Sequence, residues 1–213
     1  MLENLPDMVG HVLRHVRAGM DKTITQQSGL RAGMGSIEVT SLAFADHMPI
    51  PERYTADGEG VSPPLQWKGV PAGVASVVLV VEDADAPTPL PLVHAIAVDL
   101  SAGDGGLAEG ALSSAGNEGA EQVHEGRNSY LMTGWLPPDP PPGHGSHRYV
   151  FQVFALAAGE PFAGTPGRDA VREALQERAI ASGSMVGTYA RPDGTIKDAE
   201  PAAAVSVSSV REA

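Results

Sequence analysis

Three long apolar runs dominate the chain and predict β-strands. SVVLVVED begins at Ser76, HAIAVDL at His94 and YVFQVFAL at Tyr149. The first two are apolar on both faces, which is typical of strands inside a covered sheet, whereas the third alternates more cleanly. The segment IEVTSLAF, from Ile37, mixes β-branched and aromatic residues in near alternation and predicts a further strand. A long turn-rich loop follows it.

Helical spacing of apolar residues is confined to regions near the two ends of the chain. The late segment GRDAVREALQERAIASG, from Gly167 to Gly183, has such spacing. So has the first segment, where Asp7 can cap a helix whose apolar positions are Met8, Val9, Val12, Leu13 and Val16. Because helices do not separate the strands, the pattern predicts a mainly β fold with a mostly antiparallel sheet and peripheral helices.

The pattern divides the chain into three regions. Residues 1–35 are predicted to be a helical extension and a linker, 36–191 the main domain, and 192–213 a flexible tail with little to pack against. A chain of 213 residues can form one large domain with a sizeable core. We expect the first helix to dock on its own domain or on a partner subunit rather than on a membrane.

Charge and composition narrow the possible partners. Asp and Glu number 26 against 14 Lys and Arg, for a formal charge of -12, which opposes sequence-independent binding to nucleic acid or to an anionic membrane. The absence of cysteine excludes disulfides, thiolate metal sites and a cysteine nucleophile. Neither a signal-peptide pattern nor a membrane-spanning apolar run is apparent. We therefore expect a cytoplasmic protein without a membrane span.

Polar residues gather where the predicted strands begin and end. Asp83 and Asp85 close one strand, His94 opens the next, and His147 lies two residues before Tyr149. Side chains at i and i+2 of a strand share a face, so the two acids are expected to point the same way. Two adjacent carboxylates require either a raised pKa or compensation by cations or donors.

The residues alone leave three interpretations open. The acids and histidines can be structural, as caps of a turn and partners of buried backbone groups. They can form a metal site of two carboxylates and two imidazoles, which suits zinc or iron. They can also line an anion pocket, in which protonated side chains and backbone N–H groups hold a phosphate or carboxylate.

A series of motifs in order resembles the phosphatidylethanolamine-binding protein family, also called Raf kinase inhibitor-like proteins, and most closely its bacterial branch. The family's Asp-Pro-Asp-Ala-Pro signature is similar to DADAP at 83–87, followed by His94. Its second signature is similar to PPGHGSHRY at 141–149. The bacterial lead-in is similar to IP at 50–51, YTADG at 54–58 and VSPPLQW at 61–67. The resemblance covers about residues 36–191.

The resemblance implies a large antiparallel sheet flanked by a smaller sheet and by peripheral helices. It also implies a small pocket for phosphate-like anions. We expect neither a cofactor nor a resident metal. The ligand-binding residues it implies are Asp83, Asp85, His94, Pro141, Pro142, His147 and Tyr149. We expect a noncatalytic binding protein for a phosphate-bearing headgroup, which regulates or scaffolds a protein partner and forms a homodimer.

An alternative is a metal-dependent or acid/base hydrolase that uses Asp83, Asp85, His94 and His147. No G-x-S-x-G elbow and no obvious nucleophile supports it. His124 and His144 are predicted to be ordinary loop histidines, because nothing beside them repeats the motif.

Overall fold

The computed structural model describes residues 7–30, 33–114, 119 and 122–191. The predicted tail, 192–213, lies outside them. The helices of the described chain are α1 Asp7–Leu13, α2 Ile24–Gln27 and α3 Arg168–Arg178, with short 3-10 turns at Met20–Lys22 and Glu52–Tyr54. The strands are β1 Gly35–Ser36, β2 Glu38–Thr40, β3 Met48–Pro49, β4 Leu65–Lys68, β5 Ser76–Asp83, β6 Leu92–Leu100, β7 Gly105–Leu107, β8 His124–Glu125, β9 His147–Leu156 and β10 Ala179–Tyr189.

The strands form one large sheet and one small sheet. The large sheet has the order β1-β10-β9-β5-β6-β8, and β3 also pairs with β10; the small sheet has the order β2-β4-β7. Pairing is antiparallel except where the short strands β1 and β3 run parallel to β10. The prediction of a mainly β fold, with a large antiparallel sheet, a smaller sheet and peripheral helices, is confirmed.

Strand β5 is buried on both faces, as its apolar run predicts. Val77, Leu79 and Val81 belong to a core cluster that includes residues of the small sheet. Val78 and Val80 belong to a second cluster, which includes Val171 and Leu175 of α3. Burying the apolar surface on both faces fixes β5 between β6 and β9, and this places its polar end at one rim of the sheet.

The last strand, β10, was not predicted from the sequence, because its first residues continue the helical spacing of the segment before it. The spacing predicted helix over the segment that begins at Gly167, but α3 ends at Arg178 and β10 begins at the next residue. Gly183 allows another segment of the chain to pack directly against β10: a Cβ at this position would lie 1.8 Å from the carbonyl oxygen of Ile37. Glycine therefore allows the chain before β2 to cross against β10, although it lowers the strand signal of the sequence.

Residues 7–24, called the N-terminal arm below, pack along the end of β5. The backbone N–H of Ala18 donates to Ala86 O at 2.9 Å, and that of Gly19 donates to Ala84 O at 2.8 Å. At the end of the arm, the N–H of Ile24 donates to the carboxylate of Glu82 at 2.7 Å. The arm therefore runs beside the turn that carries the predicted site acids.

Candidate functional site

The ends of β5, β6 and β9 meet at a cavity of about 440 Å³. The antiparallel register explains the meeting, because Asp83 pairs with Leu92 of β6 on one side and with Tyr149 of β9 on the other. Four predicted site residues line the cavity, namely Asp83, His94, Pro141 and His147. The remaining lining residues are Ala56, Ala86, Pro87, Leu92, Tyr130, Met132, Leu136, Pro137, Asp139 and Pro140. The wall is therefore mostly apolar, with a few polar groups.

Asp83 and Asp85 do not share a face, because β5 ends at Asp83. The chain turns there, and the N–H of Asp85 donates to Asp83 Oδ1 at 2.8 Å. Asp83 Oδ2 lies 2.7 Å from His147 Nδ1, whereas both carboxylate oxygens of Asp85 accept hydrogen bonds from Arg148. Asp85 is not among the residues that line the cavity.

The two acids therefore have different electrostatic surroundings. Burial by itself would raise the pKa of Asp85, but the hydrogen bonds and charge of Arg148, with a hydrogen bond from Arg17, hold it below its usual value. Of the two alternatives expected for the paired acids, a raised pKa or compensation by cations and donors, Asp85 follows the second. The negative charge of Asp85 is neutralised by these two arginines, since Arg17 Nη1 also lies within 3.2 Å of it.

His94 brings an unsatisfied nitrogen to the cavity wall. Its Nδ1 lies 2.6 Å from the carbonyl oxygen of Leu136, which can only accept, so Nδ1 carries the hydrogen. Burial lowers the pKa of His94 below its usual value, despite the opposing charge of Asp83, and the ring is neutral at neutral pH. Its Nε2 is then an acceptor, and it is buried without a hydrogen-bond partner in the described chain.

Tyr149 packs against both site histidines. Its ring meets the edge of the His94 ring at a centroid distance of 5.1 Å and stacks near the His147 ring at 6.4 Å. Burial, reinforced by the charge of Asp83, raises the pKa of Tyr149 well above its usual value, so its hydroxyl stays protonated. The hydroxyl is buried without a hydrogen-bond partner in the described chain, although neither Tyr149 nor Pro142 lines the cavity.

Sequence reasoning missed the role of His144. It lies in a loop, as predicted, but it is fully buried, and its Nδ1 lies 2.6 Å from His147 Nε2. The signal available was the spacing of His144 and His147 around Gly145, where a positive φ of 88° folds one histidine back onto the other. His124 lies elsewhere, with its ring nitrogens bound to Asp99 and to Gly164 O.

Asp139 is a second carboxylate of the cavity wall that the motifs did not indicate. Its Oδ1 lies 2.8 Å from Arg191 Nη2, and the same guanidinium binds Asp57 of the YTADG motif. Ala56, the neighbour of Asp57, lines the cavity. The YTADG motif thus helps to place both a wall residue and the arginine that compensates Asp139.

The cavity wall carries carboxylate, imidazole and phenol groups on an otherwise apolar surface. The cavity wall has no Ser, Thr or Lys side chain, and its carboxylates contact His147 and Arg191. Across the part of the chain that the structure describes, no group of three or more His, Asp or Glu residues could hold a metal ion. None of the described helices is long and apolar enough to span a membrane.

Comparison with known proteins identifies the family of the chain. The family model described as phosphatidylethanolamine-binding protein matches residues 40–190. A UPF0098 protein of Mycobacterium tuberculosis is 36% identical over 157 residues, which are 72% of this chain and 70% of that protein. A solved structure of the homologue CT736 from Chlamydia trachomatis shares 33% identity with a TM-score of 0.65, covering 73% of this chain and 98% of that one. Escherichia coli YbcL, at 27% identity, superposes with a TM-score of 0.66 over 73% of this chain and 98% of its own. The chain belongs to the phosphatidylethanolamine-binding protein family.

Proposed function

We propose that the protein is a noncatalytic binding protein whose cavity takes a small phosphate-bearing or other anionic group. The observation that carries this proposal is the buried Nε2 of His94, which has no hydrogen-bond partner in the described chain. Leaving such an atom unsatisfied costs about 1–3 kcal/mol. A ligand that forms a hydrogen bond with it recovers this cost, and the family name of the relatives supports a phosphate-bearing headgroup.

Binding of an anion at this position requires a proton. A neutral His94 offers a lone pair at Nε2, and Asp83 adds a carboxylate to the same wall. A fully deprotonated anion would meet acceptors only. Either the ligand is monoprotonated and donates to Nε2, or His94 takes up a proton on binding. For a phosphate monoester, whose dianion carries no hydrogen, the affinity in both cases increases as the pH falls.

We further propose that occupancy of the cavity regulates a protein partner. The loop at the cavity supports this, because Tyr130 and Met132 line the cavity and are still 43% and 51% exposed. Leu131 between them is 77% exposed. Contiguous exposed apolar side chains are typical of interaction surfaces. A ligand in the cavity would contact the same loop that a partner would bind.

Titration calorimetry with inorganic phosphate and with phosphoethanolamine tests the proposal. We expect wild-type protein to bind phosphoethanolamine with uptake of about one proton, measured in two buffers of different ionisation enthalpy, whereas the inorganic phosphate dianion already carries a hydrogen and can bind without uptake. His94→Phe should lose binding while keeping the fold. His47→Asn is the matched control, because His47 is exposed and its positive φ of 61° suits asparagine.

Two results would refute the proposal. One is a folded His94→Phe protein that binds phosphate as tightly as the control. The other is a wild-type protein that binds neither compound between about pH 5.5 and 8, where a histidine changes charge.

A further inference from the structure

A chain of hydrogen bonds joins the N-terminal arm to the cavity. The carbonyl oxygen of Leu13 lies 2.8 Å from His144 Nε2, and His144 Nδ1 lies 2.6 Å from His147 Nε2. His147 Nδ1 then lies 2.7 Å from Asp83 Oδ2. Both histidines and the acid are at most 3% exposed, so water does not compete for these bonds.

The Leu13 carbonyl of the arm determines which atom donates and which accepts in each of these hydrogen bonds. A carbonyl oxygen only accepts, so His144 Nε2 carries a hydrogen. Burial, and secondly the charge of His147, lower the pKa of His144, which keeps its ring neutral and its Nδ1 an acceptor. His147 Nε2 must then donate to His144. The bond between His147 Nδ1 and Asp83 also needs a hydrogen, so this pair holds one proton more than a neutral imidazole beside a carboxylate.

Release of the arm would remove this requirement. Without the Leu13 carbonyl, His144 can carry its hydrogen on Nδ1 and donate to His147 Nε2. His147 then keeps a single hydrogen on Nδ1 and donates it to the Asp83 carboxylate. Every bond between these three side chains is still formed, with one proton fewer. Docking of the arm is therefore linked to uptake of one proton.

We propose that the N-terminal arm controls the charge of the cavity wall: when docked it keeps an additional proton on the Asp83–His147 pair, and when released it lets that proton leave. His144 is the positioning residue that transmits this effect. The step is a proton transfer to solvent, with no bond between heavy atoms made or broken.

The groups around the two histidines are consistent with this assignment. His147 is faced by Asp83 of β5, His94 of β6 and Tyr149 of β9. From the arm, Arg17 donates to the carbonyl oxygens of His144 and Ser146 and approaches Asp85. His11, Arg14 and His15, in α1 and the turn after it, are exposed. Arg17 is thus the cation of the arm that contacts the loop carrying His144.

The docked helix has its own local anchor and can be perturbed separately. Gly10 of α1 approaches the loop so closely that a Cβ there would lie 1.8 Å from Pro142 O. The end of the arm is fixed independently, since Ile24 binds the buried Glu82. The family model begins at residue 40, so the arm lies outside the matched region. A side chain at position 10 should therefore displace α1 and leave the sheet intact.

The consequence for binding rests on the proposed function. Docking makes the Asp83–His147 pair neutral, whereas release leaves one negative charge on the cavity wall. An anion should then bind on the order of tenfold more weakly to the released form, a typical coupling between two sites. By reciprocity, a bound anion should favour the docked arm.

Imidazole NMR on the full chain tests the protonation step without any ligand. In the wild type at about pH 7, His147 should carry hydrogens on both nitrogens. In Gly10→Ala it should carry one, on Nδ1. The matched control is Val12→Ala, because Val12 lies in the same helix and is 75% exposed. Faster exchange of the Ala18 amide, which is hydrogen-bonded to Ala86, verifies displacement of the arm.

His144→Phe keeps the test decisive if Gly10→Ala leaves the arm docked. Phenylalanine fills the same space but accepts no hydrogen bond, so His147 should lose its second hydrogen wherever the arm lies. A doubly protonated His147 in this variant, or in a Gly10→Ala protein with a displaced arm, would overturn the proposal. Phosphate titration of the same proteins is a separate measurement. We expect weaker binding to the variants than to the wild type. An absence of phosphate binding in all of the proteins would refute only the proposed function.

Discussion

Arg148 donates three hydrogen bonds to the carboxylate of Asp85, from its backbone nitrogen at 2.9 Å, from Nε at 2.7 Å and from Nη2 at 2.7 Å. Asp85 is buried, and Arg17 adds a second cation at 3.2 Å. This acid therefore ties the turn after β5 to the start of β9 and to the arm. Asp83 and His94, by contrast, line the cavity. The two acids of one motif therefore differ: Asp85 anchors the turn, and Asp83 lines the cavity.

Asp85→Ala should weaken the fold more than it weakens binding. Removing the carboxylate leaves the partly buried Arg148 without its partner and should lower the free energy of unfolding by about 3 kcal/mol. Phosphate affinity should fall less than it does in His94→Phe. Urea unfolding and calorimetry on both variants check this. Normal stability with complete loss of phosphate binding would instead make Asp85 a direct ligand-binding residue, as the motif alone predicted.

Stability should fall as the solution is made acidic, because two buried histidines have lowered pKa values. Burial lowers the pKa of His94 and of His144 below the usual 6.5. The unfolded chain therefore binds protons that the folded chain does not, starting near 6.5. Stability from this source is complete above that pH and declines below it, by at most about 1.4 kcal/mol per pH unit for each histidine, until the folded-state pKa is reached.

Urea unfolding at a series of pH values measures this decline. Below pH 6.5, His94→Phe should reduce the slope of the unfolding free energy against pH by the contribution of one histidine. His124 provides the opposite control, because a hydrogen bond to Gly164 and the contact with Asp99 raise its pKa. Its contribution is complete below 6.5 and is lost as the pH rises through its folded-state pKa. An unchanged slope in His94→Phe would mean that His94 is charged in the folded protein.

A buried ion pair anchors the end of the arm. Arg168 of α3 lies 2.7 Å from the fully buried Glu82, which also accepts hydrogen bonds from Ile24 and Gln152. Arg168→Met would leave this carboxylate without its cation and should cost about 3–5 kcal/mol of stability. Arg172→Met should lower the free energy of unfolding by less than about 1 kcal/mol, because its partner Asp169 is 85% exposed. The denaturant midpoints of the two variants measure these losses of stability. Equal losses would contradict the prediction.

Local patterns predicted most of the long strands, and the motifs predicted several residues that line the cavity. The apolar runs that place Asp83, His94 and His147 at strand ends are readable because a run of apolar residues of strand length is a local property of the sequence. The position of Asp85 was not predictable from the i, i+2 rule, since that rule applies only while the strand continues. Strand β10 was missed because its glycines serve contacts with distant segments.

The link between the arm and the cavity depends on distant parts of the chain. His144 receives its role from Leu13, which lies 131 residues away in sequence. Nothing near either residue signals that the two meet, and the docking depends on the absence of a side chain at Gly10. The expected homodimer and the cytoplasmic location depend on other molecules, so they stay predictions.

Leu131 occupies a backbone conformation that is unfavourable for leucine. Its φ is 62°, in the left-handed region, which costs a residue with a Cβ about 1–2 kcal/mol. Asn128 maintains the loop, because its Oδ1 accepts from the N–H groups of Tyr130 and Met132. Leu131 itself is exposed and does not line the cavity.

Leu131→Gly should therefore raise the free energy of unfolding by about 0.5–1 kcal/mol, since part of the relieved strain is offset by the greater freedom of glycine in the unfolded chain. Phosphate affinity should not change. Leu42→Gly is the control, because Leu42 is similarly exposed but does not have a positive φ, and glycine there should destabilise the protein. Thermal unfolding of both variants separates the two effects. If both substitutions lower stability equally, Leu131 carries no strain.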